Sequence, residues 1–254
     1  MFAPKIEPSG GRVEFDFTVR LVRTTQHLRR AVKVRAAAYS RHVPALGERL
    51  LAPELSDTEP GSVLFLAESK ADHSPQGTLR IQTNLDFPFT FESQIALPQF
   101  LQDNPIAFVA RLAVLPGPNS TNLRNALFKA LHRYCLATQI RWMVVAARRS
   151  LERRYRQLGF ADVFPNQPPA ILPSMSPNPV RFLYFDALAA ERVWYSTHHP
   201  LYGFMFLDQH PDIQVFSSVS SAWTRPRKQR RTDNPSGIAA EAKRLQLRLP
   251  DLDH

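Results

Sequence analysis

The chain has 254 residues, 44% hydrophobic and 21% charged, with 22 prolines and 9 glycines, a balance that buries a core and excludes wholesale disorder and collagen-like repeats. Its single cysteine, Cys135, excludes an intrachain disulfide, and its longest purely apolar run, the six residues Trp142 to Ala147, falls far short of the ~20 a membrane helix needs. Net charge is +10, of which residues 222–254, with eight Lys/Arg against four Asp/Glu, supply +4, so anionic partners are favoured without being chosen among. The N-terminal residues lack the apolar segment of a secretory signal, and the expectation is a soluble, cytoplasmic protein.

In chain order, Val13 to Val22 alternates like a strand, and Thr24-Thr25 opens a helix to about Arg41. The stretch 43–60, broken by Pro and Gly, reads as a loop ending at a strand, Ser62 to Glu68. A turn at Asp72 to Gly77 and a return strand to Thr83 predict a hairpin. Ala107 to Leu115 reads as a buried strand, and a polar loop, Pro116 to Asn122, leads to a helix over Leu123 to Gln139 with Leu123, Leu127, Leu131 and Tyr134 at helical spacing. Arg141 to Ala147 is apolar throughout, as in a strand buried on both faces. Arg148 to Leu158 predicts a short helix closed by Gly159. Six prolines between 165 and 179 argue against regular structure before a last strand, Val180 to Phe185, and residues 187–221 read as a loop with local packing.

This order predicts an α+β fold, one mixed central β-sheet flanked by helices in a sandwich-like arrangement. Residues 1–12 form an N-terminal extension, 13–221 the domain, and 222–254 a peripheral or mobile basic tail.

Arg111-Leu-Ala-Val114, a polar loop, a helix, an apolar strand and then Tyr155-Arg-Gln-Leu-Gly-Phe160 follow one another at a separation that resembles the GNAT acyltransferase superfamily over roughly residues 13–186. The resemblance implies the GNAT fold, in which two parallel strands splay to admit an acyl-pantetheine arm and a helix N-terminus presents N–H groups to phosphate. It implies a donor site on Leu112, Val114, Asn119, Ser120, Asn122, Leu123 and Arg124, and a general acid at Tyr155, whose phenol would protonate the leaving thiolate. Here the phosphate loop departs from the family pattern. Its basic position falls on Asn119, its middle glycine on Asn122 and its last small residue on Arg124, which argues modestly for an acyl carrier protein phosphopantetheine over CoA.

Arg35 and Tyr39 on the first helix, Asp57, Gly77-Thr-Leu-Arg80 and Arg111 are also similar to the N-acyl amino acid synthase branch, which is related to acyl-homoserine lactone synthases. That resemblance implies an amine acceptor, an amino acid or a derivative, shaped by Arg35, Asp57 and Arg80, with Arg80 or Arg111 pairing with its carboxylate. Phe108 stands where the lactone synthases carry a glutamate, so the base is left open among Glu68, Glu92, His132 and water, with an amine that arrives already neutral as the further alternative. Phe108 and Phe65 are either acyl-tunnel walls or core.

Two rivals stand beside this reading: an ordinary acetyl-CoA-dependent N-acetyltransferase, and a catalytically lapsed GNAT-fold module that binds through its basic tail. Adjacent histidines at 198 and 199 lack metal-ligand spacing, so no metal is expected. Arg227–Arg231 lacks aromatic interleaving, so no specific nucleic acid is expected. Arg148, Arg149, Arg153 and Arg154 make a basic face attractive to an acidic carrier protein.

Overall fold

The computed structural model describes residues 10–85, 89, 95–172 and 176–216. The basic tail, Glu92 and part of the proline-rich stretch lie outside the described residues.

Thr24 accepts from the His27 N–H at 3.2 Å and so starts helix α1 (Thr25–Ser40) after strand β1 (Phe17–Leu21). Helix α2 (Pro44–Arg49) and a 3-10 turn (Leu55–Asp57) follow, then strands β2 (Ser62–Ser69) and β3 (Pro75–Thr83), helix α3 (Gln99–Gln102) and strand β4 (Ile106–Val114). Helix α4 (Ser120–Ala137), strand β5 (Trp142–Arg148), helix α5 (Arg149–Gln157) and strands β6 (Ala161–Asp162), β7 (Ala170–Leu172) and β8 (Ser176–Asp186) come next. Helix α6 (Ala190–Ser196), a π-helical turn (Gly203–Leu207) and strand β9 (Ile213–Gln214) complete the described chain.

The strands lie in the order β6-β8-β5-β4-β3-β2-β1-β9, with β7 beside β8. All pairs are antiparallel except β4 with β5 and β1 with β9, so the sheet is mixed, as expected.

Alternation of side chains divides the core between the two faces of this sheet. Phe65, Leu79, Ile81, Met143 and Val145 pack on Leu123, Leu127, Leu131 and Cys135 of α4 and on Trp194 of α6. On the other face Leu64 and Leu66 meet Leu28, Ala31 and Val32 of α1, and Phe108, Val144 and Phe182 form a second cluster with Leu101. Each fully buried Leu or Phe contributes about 1.5–3 kcal/mol.

Four expectations are corrected. Residues 13–15 do not extend β1: the Val13 N–H bonds to the Gln209 carbonyl and the Phe15 N–H to the Asp212 carboxylate, so the C-terminal segment takes them. Stretch 43–60 is not wholly loop, because Pro44 at the first turn of α2 suits a helix start, where no N–H is needed. The proline-rich stretch holds β7 and the start of β8, since pairing of β8 with β5 stops at Val180 and prolines 177 and 179 lie beyond it, where a missing donor breaks no bond of that ladder. The stretch expected as loop over 187–221 is not loop in its described part, 187–216: Asp186 accepts the N–H groups of Leu188 and Ala189 at 3.0 Å each and turns the chain into α6, and the π-helical turn and β9 follow.

Candidate active site

Strands β4 and β5 pair only from Ile106↔Trp142 to Val109↔Val145. Beyond that point β4 continues against β3 to Val114, while β5 continues against β8 to Arg148, so the two parallel strands part. At the parting β4 bulges. Thr78 faces Ala113 and Arg80 faces Ala110, so Arg111 and Leu112 together oppose Leu79. Arg111 takes φ +53°, a left-handed conformation that costs a side-chain-bearing residue about 1 kcal/mol or more and must be held by its surroundings.

What holds it is an ion network on the α1 face. The Arg111 guanidinium donates from Nε and Nη2 to Glu54 at 2.8 and 2.6 Å. Arg80 donates to Glu54 at 3.1 Å and to Asp57 at 2.8 Å, and Arg35 forks onto both oxygens of Asp57 at 2.7 Å each. Asp57 in turn accepts the Glu54 N–H at 2.8 Å, which closes the 3-10 turn that carries both carboxylates. The structure therefore brings Arg35, Asp57, Arg80 and Arg111 together, the residues that the resemblance to N-acyl amino acid synthases implies for the acceptor side, and adds Glu54, which sequence reasoning missed.

Burial pushes the Glu54 and Asp57 carboxyls up, but the arginines outweigh it and hold both below the ordinary range. Burial likewise opposes the charge on Arg111, and Glu54 more than restores it. Three guanidinium groups against two carboxylates leave one excess positive charge. It emerges where Arg111 and Glu54 are 25% and 24% exposed, since Arg35 and Asp57 are sealed. Arg80 and Arg111 both have internal partners in Glu54 and Asp57, because a buried charge left unpaired costs several kcal/mol.

Tyr155, half-buried in α5, packs against the core cluster on the α4 face, its ring edge-on to Phe160 at 5.2 Å. Burial, with a smaller contribution from Tyr39, pushes its phenol up to about 12, so it is protonated at neutral pH. Phe108, 5% exposed, borders the parting from the α1 face beside Phe89 and Phe182, whereas Phe65 is sealed in the α4 core.

On the donor side, no side chain caps α4. Ser120 is its first residue, its N–H bonded to the Gly117 carbonyl, and Asn122 is exposed in the first turn. The Asn119 amide donates at 2.6 Å to the carboxylate of Asp16, which brings a negative charge to the loop. Leu123 is core, so only its backbone faces outward, and Val114 leans toward Gly77. Arg124 folds back onto the Thr121 hydroxyl at 3.1 Å. Burial and the neighbouring Arg154 lower its pKa, so two like charges stand together at this end. Arg148, Arg149, Arg153 and Arg154 form no ion pair with a described residue.

The described candidates for a base are placed elsewhere. Glu68 lies four residues beyond Leu64, the partner of Arg80, or roughly 13 Å along the strand, and is paired with Arg30 and Arg20. His132 is 3% exposed on α4, its Nε2 hydrogen-bonded to the Ala187 carbonyl at 2.9 Å, and burial lowers its pKa. Cys135 is buried in the core, which raises its thiol to about 12 and makes it inert. Among the described residues no group of three His, Cys, Asp or Glu side chains stands together as a metal site.

A mixed sheet opened between two parallel strands, with a bulge at the opening and helices on both faces, is the GNAT fold, and this chain has it. The fold is similar to that of FeeM, an N-acyl amino acid synthase from uncultured soil microbes, at 15% identity and a TM-score of 0.55, over 74% of this chain and 97% of that one. It is also similar to BjaI, a CoA-dependent acyl-homoserine lactone synthase solved with SAM and isopentyl-CoA, at 14% identity and a TM-score of 0.51, over 76% and 93% of the two chains. No protein-family model matches the sequence, and no curated protein matches it.

Proposed function

We propose that this chain is an N-acyltransferase that moves an acyl group from a thioester donor to the amine of an amino acid or related small molecule. The observation that carries the reading is the parting of β4 and β5 with a charged network on one face and the Tyr155 phenol on the other. A thioester lying in the opening has its carbonyl beside the β4 backbone that β5 no longer pairs. An acceptor arriving from the α1 face meets one excess positive charge, which favours a substrate carrying a carboxylate.

The amine attacks as the free base. Its nitrogen bonds to the thioester carbon, the C–S bond breaks, the proton lost by nitrogen goes to water, and the sulfur leaves as thiolate. Tyr155 donates a hydrogen bond to that thiolate as its charge develops. With the phenol at about 12 and a thiol near about 8.5, full proton transfer is uphill, so the thiolate leaves hydrogen-bonded and takes its proton from water.

For the donor we favour an acyl carrier protein. Asp16 bound to Asn119 and Arg124 folded over the first turn of α4 replace the open glycine cradle that a pyrophosphate needs, and Arg149, Arg153 and Arg154 of α5, which form no ion pair with a described residue, attract an acidic protein. FeeM and BjaI suggest the acyl-transfer chemistry by similarity of fold, and BjaI keeps CoA in view as the alternative donor.

The test is intact-mass spectrometry of lipid extracts from bacteria expressing the wild-type chain, Arg80→Ala and Tyr155→Phe. New N-acyl amino acid masses with wild type, weakened in both variants, establish the reaction and name both substrates. Absence of any acyl product, together with transfer from acetyl-CoA in vitro, replaces this reading with that of an N-acetyltransferase.

A further inference from the structure

Helix α5 is short, exposed and rich in arginine, and nothing in its own sequence sets how deeply Tyr155 is buried. Its last turn is tied down from outside. His199 stacks on the indole of Trp194 with ring centroids 3.7 Å apart. Its Nδ1 accepts the Leu201 N–H at 3.1 Å, and its Nε2 lies 2.8 Å from the carbonyl of Gln157, the final residue of α5. With Nδ1 accepting, Nε2 is the nitrogen that carries hydrogen and donates to the Gln157 carbonyl. Trp194, 1% exposed, fixes the other side of the same turn: a Cβ at Gly159, where φ is +89°, would come within 3.3 Å of its indole nitrogen. Between these contacts the carbonyl of Tyr155 accepts the N–H groups of Leu158 and Phe160 at 3.0 and 3.1 Å, so any movement of the turn moves Tyr155.

We propose that His199 is a positioning residue for Tyr155: by bridging the Leu201 N–H and the Gln157 carbonyl it locks the C-terminal turn of α5 to the α6 segment and sets the depth at which the phenol is held. The importance of this for catalysis rests on the role of Tyr155 proposed above, whereas the lock itself does not. It also assigns a purpose to residues 190–201, which lie outside the elements that build the opening. The bond runs between elements 42 residues apart in sequence, so it forms only in the folded chain.

The test reads the phenol directly, in the full-length chain labelled with 13Cζ-tyrosine and titrated by NMR, the Tyr155 resonance being assigned by its loss in Tyr155→Phe. His199→Phe keeps the stack on Trp194 and removes both hydrogen bonds. His199→Gln returns a donor amide at the reach of Nε2. The expected result is that His199→Phe moves the Tyr155 titration down from about 12 by about one pH unit, toward that of a solvated phenol, and that His199→Gln leaves it within a few tenths of wild type. An unchanged titration in His199→Phe, or an equal shift in both variants, overturns the proposal. Should the phenylalanine variant fail to fold, His199→Asn, which retains the acceptor for Leu201 but not the reach to Gln157, decides by the same readout: a downward shift supports the lock and none overturns it. Where acyl transfer is measurable, His199→Phe lowers kcat in the wild-type background and not in Tyr155→Phe; equal losses in both backgrounds overturn the link to Tyr155. The absence of any transfer in the wild type counts against the reaction alone and leaves the titration to judge the lock.

Discussion

Glu54 and Arg111, 57 residues apart, meet through two hydrogen bonds of 2.6 and 2.8 Å directly beside the point where β4 leaves β5. The pair does two things at once: it restrains the left-handed turn at Arg111 that forms the bulge, and it sets the charge of the face from which an acceptor approaches. Replacing Glu54 by Gln keeps the shape and removes one negative charge, so Arg111 and Arg80 lose their shared partner. A drop in melting temperature is expected, with tighter binding of small carboxylates, read by calorimetry with free amino acids as probes.

Asp57 is the more deeply committed carboxylate, accepting from Arg35, Arg80 and the Glu54 backbone. Asp57→Ala leaves Arg35 and Arg80, both buried, to share with Arg111 the single carboxylate of Glu54, and is expected to destabilise the fold by about 3–5 kcal/mol. Urea unfolding followed by circular dichroism measures it.

Acid sensitivity follows from the same pair. Both carboxyls have folded values below their ordinary 4.5 and 3.8, so their contribution to stability is fully present above those values and is lost as pH falls through the lower folded ones. Wild type is expected to lose stability between about pH 5 and the foot of the acid transition more steeply than Glu54→Gln, as read from melting temperature against pH.

Tyr155→Phe removes one hydrogen bond to a developing thiolate without opening a cavity. Such bonds to charged groups are worth about 1.5–3 kcal/mol, so kcat is expected to fall roughly 10- to 100-fold with melting temperature little changed. Steady-state kinetics with the donor identified by mass spectrometry checks this.

Lys129 of α4 ties the C-terminal segment to the domain. Its ammonium donates to the carbonyls of Phe204 and Asp208 at 2.6 and 2.8 Å and lies 2.9 Å from Nδ1 of His210. Burial, with nearby Arg133 next, lowers its pKa from 10.5 to about 8, so between those values the unfolded chain holds the extra proton and stability gains from rising pH. Lys129→Met is expected to lose about 2–4 kcal/mol, since it strands two carbonyls and a ring nitrogen, and to remove that alkaline gain; unfolding curves at pH 7 and pH 10 test both.

How far the chain was readable varies residue by residue. The strands 62–69 and 106–114, the hairpin and helix α4 follow from local alternation and leucine spacing, and the GNAT resemblance of Arg111–Val114 and Tyr155–Phe160 foretold the sheet that the structure has. Arg35, Asp57, Arg80 and Arg111 are singled out for the acceptor side by the separate resemblance to N-acyl amino acid synthases. Glu54 was not, although an acidic residue three positions before Asp57 matches the reciprocal capping pattern that the 3-10 turn displays, a signal hidden by reading the whole stretch as loop.

What the sequence determined by itself is what near neighbours decide: helix starts at Thr24, the positive φ of Gly159, the apolar run of β5, and an excess of positive charge. What only the tertiary structure decided is where charges and phenols end up relative to one another. The fork of Glu54 on Arg111, the retirement of Glu68 and His132 to structural roles, and the bond from His199 to Gln157 join residues tens of positions apart. Such contacts leave no period or spacing in the chain, because their energy arises only once packing has removed water and a charge or carbonyl must find its partner among whatever groups the fold has brought alongside.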